Sequence, residues 1–589
     1  MMSLSTILLV LTPVLPAVMA VAALVPAFER IILRTGWIAP LPALAAIAFV
    51  PDGRSVVLHD FLFGAGFVMT PTGRAVLGFT AFLWLLAAMN AGAYLSPSSP
   101  RRRFAGLFLL VMAGNFGLLI ARDFPSFYLF FAMMSLASYV LVVHDQSDKA
   151  LHAGSVYIVL AVIGETALLV GMMLAAVTSG GISIADARLA LNPPGPNAVA
   201  IVLFALAFAI KMGLFPLHVW LPLAHPAAPA PASAVLSGTM IKAGLFGMIT
   251  FLPIGLDPWS AGGTVLIVIG LFTAFYGVIC GVAQDDAKAV LAYSSLSQMG
   301  ILAAALGVGW TAPAVWPALL VAVTVYMLHH GLTKGGLFLL VGARQKGAMT
   351  AGSRVAFILL ASVGALALAG LPLSSGAVAK LTLKSAIEGA STEAADRIVT
   401  LLSLSAVATT LLVLRFLYIF APWRPTANDG SAAGPARRIL TGTAAASILS
   451  GQVAIWWIAP ASKIADTFSA YGLWENGWPL AVGLGVAAAS MLAVRGRQAW
   501  RVPQGDLLAL SSPPAVALAA SSVRLARKVS EYSGSAVRCV RSSVQSVWDD
   551  SVRRRSGIED AVNRAVGQRA VTAISIIAVA AALFAVLRG

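Results

Sequence analysis

The sequence is poor in charge and poorer still in acid. Of its 589 residues only 11% are charged, 23 acidic against 39 basic, with 7 histidines and 2 cysteines. Cys280 and Cys539 stand far apart, which excludes a disulfide framework and gives no metal-ligand spacing. No nucleophile triad, no glycine-rich phosphate loop and no cluster of metal or haem ligands is visible. No cofactor and no redox centre are therefore expected in this chain. A soluble basic domain is missing as well, so the net charge of +16 does not point to nucleic acid. In a membrane chain such an excess reflects lysines and arginines held on the cytoplasmic side. The first apolar run, Ser5 to Val25, lacks the basic start and small-residue cleavage site of a secretory signal, and is expected to be kept as a transmembrane helix.

What the sequence has in abundance is apolar length. It is 59% hydrophobic, with mean hydropathy +0.89. The composition predicts an all-α polytopic membrane protein of about sixteen spans, each ~17–25 residues long. Residues 1–100 hold the first three spans, 101–253 spans 4–8, 254–421 spans 9–13, 422–500 spans 14–15, and 567–589 the last. The second is interrupted by Pro40 and Pro42; the twelfth contains GLPLSSG and should be broken. Loops after odd-numbered spans carry most of the cations, among them Arg30, Arg34, Arg101, Arg102, Arg103, Lys149, Lys288 and Arg344. That bias places those loops in the cytoplasm and the N-terminus outside.

Residues 501–566 read differently. Leu518, Leu525, Val529, Tyr532, Val537, Val540, Val544 and Val547 recur mostly at intervals of three to four among arginines and serines. This is an amphipathic helix rather than a span. The pattern fits a helix lying in the headgroup layer and equally a strap across neighbouring helices or subunits.

Six cations fall inside spans: Lys211, Lys242, Lys334, Lys380, Lys384 and Arg415. A cation at the bilayer centre costs at least ~2.5–3.5 kcal/mol. Arg415 is near a span end and can snorkel. Lys211 and Lys242 are far from either end, so a hydrated path is expected there. A lysine taken out of water gives up its proton more readily than one in solution, which suits it to a proton path. Lys211 is followed by Pro216, and Lys380 follows Pro372. Broken helices are tolerated in a membrane only where they are buried in protein or line a water-filled cavity. Two such breaks, five spans apart, predict two inverted five-helix repeats, spans 4–8 and 9–13. The plainer alternative is a pair of kinks that shape packing.

Histidine and acid complete the candidate set. His330 shares a helix face with Lys334 at i, i+4 and could relay protons; with His329 it could equally be a packed, hydrogen-bonded pair. His218, at the first break, and His225, in the loop beyond it, are candidates that could instead cap backbone groups. Glu165 lies in an apolar stretch, VIGETALLVG, with Lys211 as its nearest candidate partner by chain order. Asp285 and Asp286 are expected to be solvated.

The stretch KMGLFPLHVWLPLAHPAAPAPASAVLSGTMIKAG resembles the signature of antiporter-like membrane subunits. DDAKAVLAYSSLSQMG, HHGLTKGGLFLLVGA and LAGLPLSSGAVAK agree with it. These subunits occur in respiratory complex I, group 4 hydrogenases and multisubunit cation/proton antiporters, and the wording is most similar to the hydrogenase-4 component B type. The resemblance covers about residues 100–420. It implies a proton channel of two inverted five-helix halves with broken helices 7 and 12. Lys211 and Lys242 then match the lysines of helices 7 and 8, His330 with Lys334 the helix-11 relay, and Lys380 the lysine of helix 12. It also favours the strap reading of residues 514–566. There is one departure: the family's helix-5 motif resembles FExMSLASY, whereas this chain reads FAMMSLASY, with Ala132 in the glutamate's place. Glu165 is similar in placement to an acid on helix 6 of related distal subunits. Gln298 stands where many members have histidine.

The expected function is ion translocation, most naturally of protons, by a subunit of a membrane oxidoreductase complex of quinone reductase or hydrogenase type in the inner (plasma) membrane. Its partners would be other membrane subunits, contacted partly through the lateral helix, and the bilayer. Lys211 with Glu165 would act as a coupled pair, Lys242, His330 and Lys334 as relay, and Lys380 as the exit-side group, with Lys384 a further candidate. The alternatives are a proton-driven energising subunit of an inorganic-carbon or cation uptake complex, and a scaffold with a degraded channel.

Overall fold

A computed structural model describes residues 3–58, 64–95, 101–191, 197–345, 351–421, 434–493 and 502–503. The expected amphipathic helix and the last span lie outside the described residues. The elements run α1 Leu4–Ala23, α2 Glu29–Thr35, α3 Leu41–Phe49, β1 Ser55–Leu58, β2 Ala65–Val68, α4 Pro71–Tyr94, α5 Arg101–Ile120, α6 Phe124–Val142, α7 Asp148–Ser179, α8 Ile184–Ala190, α9 Ala198–Met212, α10 Trp220–Ala227 and α11 Ala230–Val235. A π-helical turn, Leu236–Met240, then leads into α12 Ile241–Phe251. The second half continues α13 Ser260–Val282, α14 Ala287–Thr311, α15 Trp316–Gln345, α16 Ala351–Ala369, α17 Ser375–Glu388 and α18 Glu393–Phe420, and α19 Gly434–Ile458, α20 Ala461–Phe468 and α21 Ala470–Ala493 follow. Among the described residues, 12 helical stretches are long and apolar enough to cross a membrane. The protein is a multi-pass, membrane-embedded helical bundle.

The starts of these helices follow local chemistry. Asp123, Ser147, Asp286, Ser374 and Thr392 each place a side-chain oxygen on an amide of the first turn of α6, α7, α14, α17 and α18, satisfying donors that a helix leaves unpaired. The all-α expectation needs one correction. β1 pairs with β2 in an antiparallel hairpin, Ser55 opposite Val68 through Leu58 opposite Ala65. The short SVVL segment lies between α3 and α4, outside any helix, and its backbone groups find partners in the second strand. Asp123 fastens the hairpin by accepting from the Gly66 amide at 2.5 Å.

Within each half, successive helices pack on one another. In the first, α5 packs on α6, α6 on α7, α7 on α9 and α9 on α12; in the second, α13 packs on α14, α14 on α15, α15 on α16 and α17, and both of these on α18. The α13–α14 seam is glycine-lined: a Cβ on Gly300 would lie 2.5 Å from the Gly270 carbonyl and 2.7 Å from the Ala274 amide. α10 packs on α14 and α11 on α15, joining the two groups. The apolar window of α14 is 100% buried and that of α11–α12 is 94% buried, against 39% for α1. α11, α12, α14 and the second half of α15 are thus deeply enclosed, and Lys242, His330 and Lys334 lie there.

Candidate functional site

The first break starts at a glycine rather than at the proline. Gly213 adopts φ +76°, and the amides of Gly213 and Leu214 close the end of α9 on the carbonyls of Ile210 and Ala209. This left-handed stop is a glycine's role. The Phe215 amide then finds the Thr273 hydroxyl of α13 at 3.1 Å, and Trp220 Nε1 returns to the Ile210 carbonyl at 2.9 Å. The Gly213, Leu214 and Phe215 amides at the break are thus taken up by protein, as a membrane interior requires.

Lys211 sits two residues before that stop, buried. Its ammonium donates to Ser135 Oγ of α6 at 2.8 Å and lies 5.4 Å from the Phe131 ring centre. Phe127, Phe204, Phe208 and Phe251 interlock around this part of α6, α9 and α12, with Phe127 and Phe208 at 4.6 and 5.4 Å from Phe251. A cavity of about 20 Å³ opens beside the lysine, lined by Ser135, Tyr157, Ala207 and Trp220 among others, enough for one water. Glu165 is 6% exposed, within electrostatic reach of Lys211 and close to Ser135, and its Oε1 has no partner. The two charged groups make no direct ion pair; the Ser135 hydroxyl, one turn beyond Ala132, takes the ammonium instead.

The middle of the bundle gathers the rest. Lys242 donates to the Ser237 carbonyl at 2.5 Å, from within the π-helical turn that precedes it. Such turns recur at functional sites. Gly244 holds α12 against α9: a Cβ there would lie 2.8 Å from the Phe208 carbonyl and 3.0 Å from Lys211 Cβ. Lys334, fully buried on α15, donates to the Leu291 carbonyl at 2.8 Å. His330, one turn before it, is fully buried with both ring nitrogens unpartnered, flanked by Lys242, Lys334 and His329. His225 belongs to α10, a helical segment, not to a loop as expected. Its ring stacks on Phe338 at 4.6 Å, both nitrogens lack partners, and Lys334, Lys288 and Lys242 surround it. His218 lies between Phe215 and Tyr276 at the break, with ring centres 5.6 and 5.1 Å away.

The second break mirrors these features. α16 ends at Ala369, Gly370 takes φ +95°, and Ser374 restarts the chain as α17. Lys380 reaches back across the gap to the Ala369 carbonyl at 2.7 Å. His329 Nδ1 lies 2.7 Å from Ser375 Oγ, which links α15 to the restarted helix. Lys384 pairs with Glu475 of α21 at 2.9 Å.

Three participants escape sequence reasoning. Lys288 reads as a loop cation, yet it is buried and donates to the Ala228 carbonyl at 2.7 Å. It stands two residues past the Asp286 cap, so it is in the first turn of α14 under α10. Asp286 is that cap rather than a free acid, and Asp285 meets Arg415 at 2.7 Å. Ser135 is hidden in a motif whose most visible feature is its missing glutamate. Glu475 lies in a region without a motif; the pattern Lys380, Lys384, Glu388 along α17 is the only pointer toward it.

The family described as NADH:quinone oxidoreductase/Mrp antiporter, transmembrane, matches residues 121–409. The sequence is 30% identical over 347 residues to a Na(+)/H(+) antiporter subunit of Alkalihalophilus pseudofirmus, covering 56% of this chain and 68% of that protein. The chain belongs to this antiporter-subunit family. Within the family it is also similar to hydrogenase-4 component B of Escherichia coli, 34% identical over 249 residues, which is 40% of this chain but only 37% of the relative. The match thus spans well under half the length of that relative. The fold is that of a chain in the Mrp complex from Dietzia sp. DQ12-45-1b, with a TM-score of 0.70 at 21% identity, over 98% of this chain and 63% of that one. Glu165, Lys211, Lys242, His330, Lys334 and Lys380 all lie within the segment that matches the antiporter-subunit family.

Proposed function

We propose that this chain is an ion-translocating subunit, moving protons along the row Glu165, Lys211, Lys242, His330, Lys334 and Lys380, within a larger membrane complex whose other subunits supply the driving reaction. The observation that carries this reading is the charge imbalance of the row. Lys242, His330 and Lys334 are fully buried together, and the two lysines have carbonyl oxygens rather than carboxylates as their hydrogen-bond acceptors. Burying cations without counter-ions costs several kcal/mol each, a cost that packing could avoid with any apolar side chain. Side chains that gain and lose protons, linked by water, give the arrangement a use.

The packing of successive helices in α5–α12 and in α13–α18, with a glycine-initiated break partway along each, supports two inverted repeats. Glu165 then serves Lys211 through the Ser135 hydroxyl and the adjacent water-sized cavity, in place of an acid at Ala132. Lys384 extends the row beyond Lys380, His218 stands at the first break, and His225 and His329 flank the central lysines. The cation bias of the loops supports an inner-membrane location with the N-terminus outside. The similarity to subunits of hydrogenase and antiporter assemblies supports membrane-subunit partners.

The test is proton flux by the purified complex in sealed vesicles, normalised to turnover of the partner reaction. Lys211→Ala should assemble and lose flux. A Lys211→Ala complex that assembles normally and pumps at the wild-type ratio contradicts the proposal.

A further inference from the structure

The row of buried cations does not stop at Lys380. Lys384 stands one turn further along α17, and its ammonium meets Glu475 Oε2 at 2.9 Å, with side chains 7% and 22% exposed. Glu388 follows one turn later on the same face. Tyr471, one turn before Glu475, has Glu388, Glu475 and Asp466 as charged neighbours. Burial falls off in that order: Lys380 and Lys384 are buried, Glu475 is partly open, and Asp466 is 44% exposed in its pair with Lys463. α21 also touches the second break, where a Cβ on Gly477 would lie 4.0 Å from Pro372. Around this end the surface is aromatic: Trp457, Phe468, Tyr471 and Trp474 are each more than half exposed. Aromatic side chains interleaved with charge mark the headgroup level of a membrane.

We infer that Glu475 is the terminal proton acceptor of the row and Lys384 its donor, so that this pair forms an outlet at the membrane surface. The inference rests on the reading that charge passes along the row to Lys380. When a proton reaches Lys380, two ammonium groups one helical turn apart repel each other. Lys384 yields: its N–H bond breaks, an O–H bond forms on Glu475 Oε2, and a neutral amine faces a neutral acid. Lys380 passes its own proton to the Lys384 amine. Glu475 releases its proton to surface water, and the ion pair is restored. A purely structural contact would be satisfied by any hydrogen-bonding pair, whereas transfer needs an acid and a base at these two positions.

The test uses the full complex in sealed vesicles. Glu475→Gln keeps the hydrogen-bonding shape and removes the acid; Glu475→Asp keeps the acid. Glu475→Gln should assemble with a lower thermal midpoint, because the buried Lys384 loses its counter-ion, and should lower flux per assembled complex roughly tenfold or more. Glu475→Asp should retain most of it. Imidazole added on the side that Glu475 faces should restore flux to Glu475→Gln, a response that a structural defect does not give. If Glu475→Gln does not assemble, the double variant Lys384→Gln with Glu475→Gln offers paired amides, and the same loss is expected, without rescue by imidazole because the donor is gone as well. Wild-type flux in either variant, with flux abolished by Lys380→Met, overturns the outlet and leaves the row standing. Wild-type flux in Lys380→Met overturns both.

Discussion

Replacing Lys334 with methionine separates the two roles a buried lysine can have. Methionine matches it in length and in helix propensity, so α15 should be undisturbed. What is lost is the 2.8 Å bond to the Leu291 carbonyl. A charged donor in such a bond contributes ~1.5–3 kcal/mol. The carbonyl is not orphaned, because Ser295 Oγ also donates to it at 3.0 Å. What is gained is relief from burying an ammonium beside Lys242, a penalty of several kcal/mol per ion. The balance favours the variant, by on the order of 1–3 kcal/mol. Lys334→Met should therefore raise the thermal midpoint of the assembled complex or leave it unchanged, while flux through the vesicle membrane falls to a small fraction of wild type. Retained flux would remove Lys334 from the relay. A drop in stability of ~2 kcal/mol or more would show that the lysine anchors α15 and that the desolvation reasoning is wrong.

Other outcomes follow from the same geometry. Ala132→Glu should give no gain in flux, because Ser135 already holds Lys211 within reach of Glu165, whereas Glu165→Gln should lower it; a rise above wild type in Ala132→Glu would point to a degraded channel. His144, in the turn after α6, is held below its ordinary 6.5 by burial first and then by the neighbouring Arg103, with Asp145 opposing. The neutral ring is thus the form the fold keeps: its stabilisation is complete above pH 6.5 and is lost as pH falls below it, where the unfolded chain binds the proton more readily. Thermal midpoints should fall with acidification through that value, and less steeply in His144→Gln. Gly300→Ala forces a methyl against the backbone of α13 and should cost ~1–3 kcal/mol in stability, read as a lower midpoint with unchanged flux per assembled complex.

The positions of the helices and of the lysines were legible in the sequence, because apolar length, caps and prolines act over a few residues. The Pro372 break is of this kind, whereas Asp286, expected to be solvated, turns out to cap α14. What could not be read depends on segments far apart in the chain. Ser135 meets Lys211 across 76 residues and Lys384 meets Glu475 across 91, with no local pattern to announce either contact. Lys288 looks like a loop cation in the sequence because its burial is imposed by α10 from above. The π-helical turn before Lys242 leaves no mark in composition, and the β1–β2 hairpin lies in a stretch too polar to be read as a span and too short to show a strong alternation.

Proton movement along the row requires that water reach the buried cations. Density for the intact complex, sharp enough to show ordered water, decides whether it does. Waters linking the Lys211 cavity through Lys242, His330 and Lys334 to Lys380 are expected. Dry side-chain packing between Lys242, His330 and Lys334, with no water within hydrogen-bond distance of their nitrogens, would contradict it.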